Sequence, residues 1–551
     1  LANSNSGNIL PYANFWKGEI AYRQQRYDEA IRFLNIYIQS NAVAQGEANP
    51  GAAKYNVGYS WLQKENYQQA LNAFEAVTKT VSSSSTSISQ DAYLRSADCY
   101  YMLKDFTKAN SMYDQVINNA LLQADYATYQ KAMIAGVKNS AEKIRLLNSI
   151  SKQYPSSNLV PDVNMEIALT YIADEKFKDA IPFLTSILNS KNNGLKPRAY
   201  LKLGLAYYNS DNNKEALNNY EVLIQKYPQS EEADEAMGII RDIYIEEGRP
   251  NDYVELMKKN GKAISVSEAD SLTWSAAILK YDNNDCNAAL VGFANYLTRF
   301  PDGGYIIDAN YLRSTCYEKN KDFTNALPGY SFVNSKGLNK YYEKATLAAA
   351  RIYFFEQKDY VNAKKYFEML RVNAVNQDNL LEALRGLVRS HYLLKDYTAA
   401  NTAAKELLTK KGISTDDKSI ANLVLGKSQQ ISNDLPAAIV SFKNTALINK
   451  TAWGAEARYE IANCYFSLNN LTASEKAALA VIKETGSYDM WVTKSYILLG
   501  DIFLQQKDYF NAKATFESVA KNAAIATLKA EAQQKLEKAI AEEKEQSKIG
   551  N

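Results

Sequence analysis

A four-residue signature returns about every 37 residues along this chain of 551 residues, and it constrains the fold more than any other feature. A small residue is followed by an aromatic three positions later, an aromatic nine later and an alanine twelve later. It reads Gly58, Trp61, Tyr67, Ala70; then Ala97, Tyr100, Phe106, Ala109; then Ala168, Tyr171, Phe177, Ala180; and near the end Gly500, Phe503, Tyr509, Ala512. The anchors Ala289, Ala326, Ala363, Ala400, Ala438, Ser474 and Ala512 step by 37, 37, 37, 38, 36 and 38. A fixed period of this length marks stacked units that bury their apolar faces only against neighbours. Length therefore counts repeats rather than globular domains.

Within one unit, Met165 to Leu188, the residues Ile167, Ala168 and Tyr171, then Phe177, Ala180, Phe183 and Leu184, recur at helical spacing. A polar break at 174–176 separates the two runs, which predicts a helix A, a tight turn and a helix B. Ala168 and Ala180 are small, so the helices lie close where they cross, and Phe177 fills the wedge beside the turn. A bulky residue follows four positions after the alanine: Phe74, Tyr113, Leu184, Tyr220, Phe293, Tyr330, Phe367, Phe442 and Phe516. One helical turn on the same face, it is expected to meet the next repeat.

This pattern of Gly or Ala, Tyr, an aromatic, Ala, a bulky apolar residue and Pro resembles the tetratricopeptide repeat (TPR). The resemblance implies an all-α, right-handed solenoid of about 14 helix-turn-helix units over nearly the whole chain. Regular hairpins are expected from 17–38 to 497–520, with degenerate ones near 124–153 and 237–259. Pro250 replaces the signature in the second of these, and the superhelix is expected to bend or break near 120–155 and 237–270. The expected divisions are 1–120 (N-terminal repeats), 121–270 (repeats including the degenerate ones), 271–523 (a regular array) and 524–551 (a polar capping helix and tail). A coiled-coil partner helix is the alternative for the tail. A narrower likeness sits at Lys226–Tyr244, KYPQSEEADEAMGIIRDIY, which resembles the inter-repeat junction of periplasmic TPR proteins of the bacterial envelope. There Pro228 stops one helix, Ser230 caps the next, and Glu231 and Glu232 favour its N-terminus.

Candidate chemistry dissolves into the repeat. Ala421–Ser428, ANLVLGKS, superficially resembles a phosphate loop, but Gly426 holds the small helix A position and no strand precedes it. His391, the only histidine, stands where other units carry Tyr171, Tyr207 or Tyr317, so a His-rich metal site is excluded. Cys99, Cys316 and Cys464 share one small core position, too far apart along the axis for disulfides, and Cys286 takes the wedge. Acidic pairs such as Glu231–Glu232, Asp416–Asp417 and Glu542–Glu543 lie on single helix faces, unlike carboxylates opposed across a pocket. No enzyme activity, cofactor or metal is expected.

Charge is near balance, with 63 Lys and Arg against 61 Asp and Glu, so there is no basic footprint for nucleic acid. No apolar run approaches a membrane span. The chain starts at Leu1, so an N-terminal segment is expected to be missing, with room for a signal or a lipid anchor. The resemblance implies that A helices line a concave face, and the positions expected there are Tyr59, Tyr101, Ile172, Tyr208, Phe355, Tyr392 and Phe466, with Arg385 and Arg389 nearby. An aromatic groove suits a protein or peptide partner; the alternative is that these rings pack internally. The leading expectation is a non-enzymatic scaffold in a bacterial cell-envelope assembly, periplasmic or attached to the outer membrane, with a cytoplasmic site as the alternative. Rival readings are a glycan-capture lipoprotein of an outer-membrane uptake system and an adaptor or sensor segment of a larger protein.

Overall fold

The computed structural model describes residues 9–191 and 193–549. They form 29 α-helices and one short π-helix, with a lone Gln45–Ala48 bridge as the only extended pairing among the described residues. Helices alternate A and B along the chain, and the helix Ala526–Ile549 follows the last hairpin. The chain divides into two compact units. One runs through Glu247 and includes Asp252–Ala263; the other takes Gly248–Asn251 and Ile264 onward.

The turn inside the hairpins is built by one repeated device, except between Ala124–Gly136 and Ser140–Gln153, where Lys138 is not left-handed. The residue two before helix B adopts a left-handed conformation, as at Lys104 (φ 62°), Lys321 (φ 59°) and Lys507 (φ 61°). The following N–H then bonds back to the aromatic position of helix A: Asp105 to Tyr100 (2.9 Å), Asp322 to Tyr317 (2.8 Å), Asp508 to Phe503 (2.8 Å). This closes the A helix by a Schellman-type turn. The same Asp is the N-cap of helix B, its carboxylate accepting from the N3 backbone N–H (Lys108, Asn325, Asn511). Lys176 occupies this place before Phe177–Leu188 and makes no side-chain cap.

Packing inside the hairpin revises the expected place of the bulky residue. A Cβ built on Gly58, Gly204, Gly426 or Gly500 would lie 2.6, 2.4, 2.5 or 2.4 Å from the ring of Phe74, Tyr220, Phe442 or Phe516. Each ring therefore lies first over the small residue of its own helix A, because the two helices cross there. Its far edge reaches the next repeat, as Phe367 does against Gly386.

One repeat carries an extra residue. Counting twelve back from Ala363 lands on Arg351, not a small residue, and the helix Tyr342–Arg351 passes into a π-helix at Ile352–Glu356. The wide turn absorbs the insertion, and fully buried Ala350 takes the small position.

Over parts of the chain helix A also packs directly on the A helices of its neighbours, whereas B helices meet one another weakly or not at all. In the second unit this holds without interruption from Tyr342–Arg351 through Gln377–Leu393, Thr415–Ile431, Ala452–Ser467 and Asp489–Gln505 to Ala526–Ile549. The A helices are thus the inner layer. The terminal helix covers the last repeat, burying Leu528, Ala532 and Ala539 in a cluster with Ile497, Phe516 and Val519.

Candidate inner-layer binding surface

Most side chains expected to face a partner bridge successive repeats instead. In the first unit Tyr59 donates to Asp91 (2.6 Å) and accepts from Arg95 Nε (3.0 Å). Tyr55 shares Asp91 (2.7 Å), and Arg95 continues to Asp98 (2.5 Å), which also accepts from Tyr113 (2.7 Å). Burial, opposed by Arg95, pushes the Tyr59 phenol up to about 12. Burial likewise raises the Asp98 carboxyl despite Arg95 and its hydrogen bonds. Tyr208 donates to Glu246 (2.7 Å), and that bond, with burial, holds its phenol at about 12. Tyr101 is half-buried, edge-on to Phe106 at 5.7 Å.

In the second unit Arg385 grips Asp417 with two bonds, 2.7 and 2.9 Å, and Arg389 holds Asp416 at 2.7 Å. Neither arginine presents an unpaired charge. Tyr392 donates to Glu456 and packs edge-on to Trp453 at 5.5 Å, reaching past the intervening A helix to the repeat after next. Beside it Lys427 is held by Glu460 (2.6 Å) and Glu456 (3.0 Å), and Glu460 also accepts from Gln430 (2.8 Å) and Asn463 (3.1 Å). The inner layer is filled at this point, so Tyr392 is part of the scaffold. Gly426 and Lys427, from the loop-like ANLVLGKS, are accounted for by Phe442 and by this ion cluster. His391 sits 3.1 Å from Asp396 Oδ2 at the mouth of its own turn.

Phe466 lines a cavity of about 270 Å³ with Tyr459, Asn463, Lys494, Asp501 and Lys535. Lys535, from the terminal helix, neutralises Asp501 at 2.6 Å, yet burial still raises the Asp501 carboxyl. Lys494 lies over Trp491 (4.8 Å) and Tyr459 (5.6 Å).

Phe355 differs from all of these. The π-helix displaces it by one residue, so that Phe354, tilted against Tyr360 at 5.3 Å, takes the place that Tyr101 and Tyr392 hold beside Phe106 and Tyr397. Phe355 moves to the next column and is 53% exposed. That column continues at Leu393 (41%) and Ile431 (66%), giving an open apolar row across three successive repeats. Two or three residues further, at the left-handed turn positions, stand exposed Lys358 and Lys395, with Lys321 one repeat earlier. Leu393 and Ile431 stand one position beyond the column of Tyr101 and Tyr392 that the sequence pattern points to. Asp98, Lys427 and Asp501 are not expected from it either, although each directly follows the small residue of helix A, in the column of Tyr59.

Among the described residues no group of His, Cys, Asp and Glu could hold a metal ion, and no helix is long and apolar enough to cross a membrane.

Family models for the tetratricopeptide repeat match residues 11–53, 91–120, 198–230 and 493–524. No curated protein matches the chain. Among solved structures it is similar to the C-terminal part of a TPR repeat-containing protein from Cytophaga hutchinsonii, with 16% identity over 54% of this chain and 98% of that one, TM-score 0.34. Yeast Tom70 aligns with 16% identity over 90% of this chain and 97% of that one, TM-score 0.29. A tetratricopeptide repeat protein from Parabacteroides merdae ATCC 43184 aligns with 14% identity over 49% and 98%, TM-score 0.28. Helical repeats throughout the described residues, with TPR models matching at four places, make this chain an α-solenoid that carries tetratricopeptide repeats.

Proposed function

We propose that the chain is a non-enzymatic scaffold that holds a protein partner along the inner layer of its second unit. TPRs generally mediate protein–protein interaction, and the observation that carries the reading here is the row Phe355, Leu393 and Ile431. These side chains are exposed in three successive repeats, while the neighbouring polar positions are consumed by inter-repeat bonds. Packed helices lie about 8–10 Å apart. A partner helix meets that spacing every seven residues (~10.5 Å), and a polyproline II segment, with three residues per turn, meets it every third (~9 Å). The lysine row beside the apolar row favours acidic residues in the partner. Setting in a bacterial cell-envelope assembly is part of the proposal and rests on the Tyr-Pro-x-Ser junction at Lys226–Tyr244.

The test is a chain with Phe355→Ser, Leu393→Ser and Ile431→Ser together. All three side chains are exposed, so the melting temperature and helicity should be unchanged. Affinity for the partner recovered with the wild-type chain from its native source should fall at least tenfold, and raised salt should weaken wild-type binding. Undiminished binding by the triple variant overturns the proposal.

A further inference from the structure

Like positions in different repeats stay apart in this fold, but unlike positions in adjacent repeats meet. The first residue of helix B shares an apolar cluster with the residue two past the small position of the next helix A: Phe177 with Ala206, and Leu471 with Ile502. In the second unit the two places are filled by Cys286 and Cys316. Cys286, at the start of Cys286–Arg299, packs on the cluster that contains Cys316, in Ile306–Lys319, and its thiol is near enough to perturb that of Cys316. Both are free thiols. Cys286 is half-buried and Cys316 is fully buried. Cys99 and Cys464 sit in other clusters, each without a second cysteine.

We propose that Cys286 and Cys316 form a dithiol–disulfide pair that covalently clamps two successive repeats of the second unit. The oxidant is a small-molecule disulfide of the glutathione class. The Cys286 thiolate attacks one sulfur of that disulfide, forming a mixed disulfide and releasing one small thiol. Cys316 then attacks the Cys286 sulfur, loses its proton and displaces the second small thiol. Two protein thiols become one disulfide, and their two hydrogens and two electrons end on the two released thiols. Burial pushes the Cys316 thiol up to about 12, and the neighbouring Cys286 thiol adds to the rise, so Cys286 reacts first and Cys316 resolves.

The folded, full-length chain is titrated through glutathione buffers of stepped ratio, quenched, alkylated and mapped by mass spectrometry. The expected product has lost the mass of two hydrogens and carries a single linkage joining Cys286 to Cys316. Cys99 and Cys464 become alkylatable only after denaturation. In Cys316→Ala the mixed disulfide stays on Cys286; in Cys286→Ala no glutathione is taken up. The oxidised wild-type chain melts at a higher temperature than the reduced one, and neither variant shows that difference. Accumulation of glutathionylated Cys286 in the wild type, or four free thiols in excess oxidised glutathione, overturns the proposal.

Discussion

Gly204 and Gly238 both lie inside helices of the first unit, yet they answer to opposite forces. A methyl on Gly204 would meet Tyr220 at 2.4 Å, and that ring is fully buried. Around Gly238 nothing lies within 4 Å of the new carbon. Alanine favours a helix by about 1 kcal/mol over glycine, while overpacking a core costs about 1–3 kcal/mol. Gly204→Ala should therefore lower stability by about 1–2 kcal/mol and Gly238→Ala raise it by about 0.5–1 kcal/mol, read as shifts in urea midpoint. Equal shifts of one sign would contradict the packing described here. Glu460 makes a second residue-scale test. Burial pushes its carboxyl up, but Lys427 and the bonds from Lys427, Gln430 and Asn463 outweigh burial and leave it below the ordinary value. Such a group adds stability that is fully present above its unfolded pKa, about 4.3, and is lost as pH falls through the folded value. Glu460→Gln should thus be less stable than wild type at pH 7 by about 2 kcal/mol, with the gap closing as pH falls below about 4. A gap independent of pH would sink the assignment.

At the scale of the element, the π-helix at Ile352–Glu356 is an insertion the repeat has learned to hold. Deleting one residue from a packed helix ordinarily turns every later side chain by about 100°. Here deletion of Phe355, which lies between Ala350 and Ala363, should restore the ordinary twelve-residue spacing from the small residue of helix A to the alanine of helix B. The variant should fold with undiminished melting temperature and helicity, whereas deletion of Leu393 should be strongly destabilising. Caps offer a smaller effect: Lys176→Asn supplies the missing acceptor before Phe177–Leu188 and should add about 1 kcal/mol. These elements also mark how far the sequence could be read. Hairpins were legible because alanine, aromatic and bulky residue recur at fixed offsets, and steric fit of small to large depends on little else. Phe355 was assigned to the column of Tyr392 because a one-residue insertion leaves hydrophobicity unchanged while shifting register. Tyr59, Tyr208 and Tyr392 look alike in sequence to an open tyrosine, since their partners Asp91, Glu246 and Glu456 lie 32, 38 and 64 residues away. The cysteines were compared only between like positions, and the contact that matters joins unlike ones.

Across the whole molecule, stability is a sum of repeats and of the interfaces between neighbours, so damage should remain local and fade with distance. The terminal helix gives the sharpest version of this idea. It buries Leu528, Ala532 and Ala539 on the last repeat and sends Lys535 to Asp501 and Lys513's partner Glu543 to the same surface. Removing residues 524–551 uncovers Ile497, Phe516, Val519 and Ala520, an apolar face with no repeat to follow it, and strands Asp501 without its cation. Hydrogen exchange should speed most in Tyr509–Asn522 and Asp489–Gln505, less in Ala452–Ser467, and hardly at all in Tyr342–Arg351. The truncated chain should also self-associate with rising concentration, because like apolar faces are then the best available cover for each other. A charged residue on the uncovered face, Phe516 left intact and Val519→Lys introduced, should suppress the association without restoring the lost protection. That pair of results separates capping as cover from capping as a structural support, and uniform loss of protection through the second unit would show that its repeats melt as one block rather than as a nearest-neighbour chain.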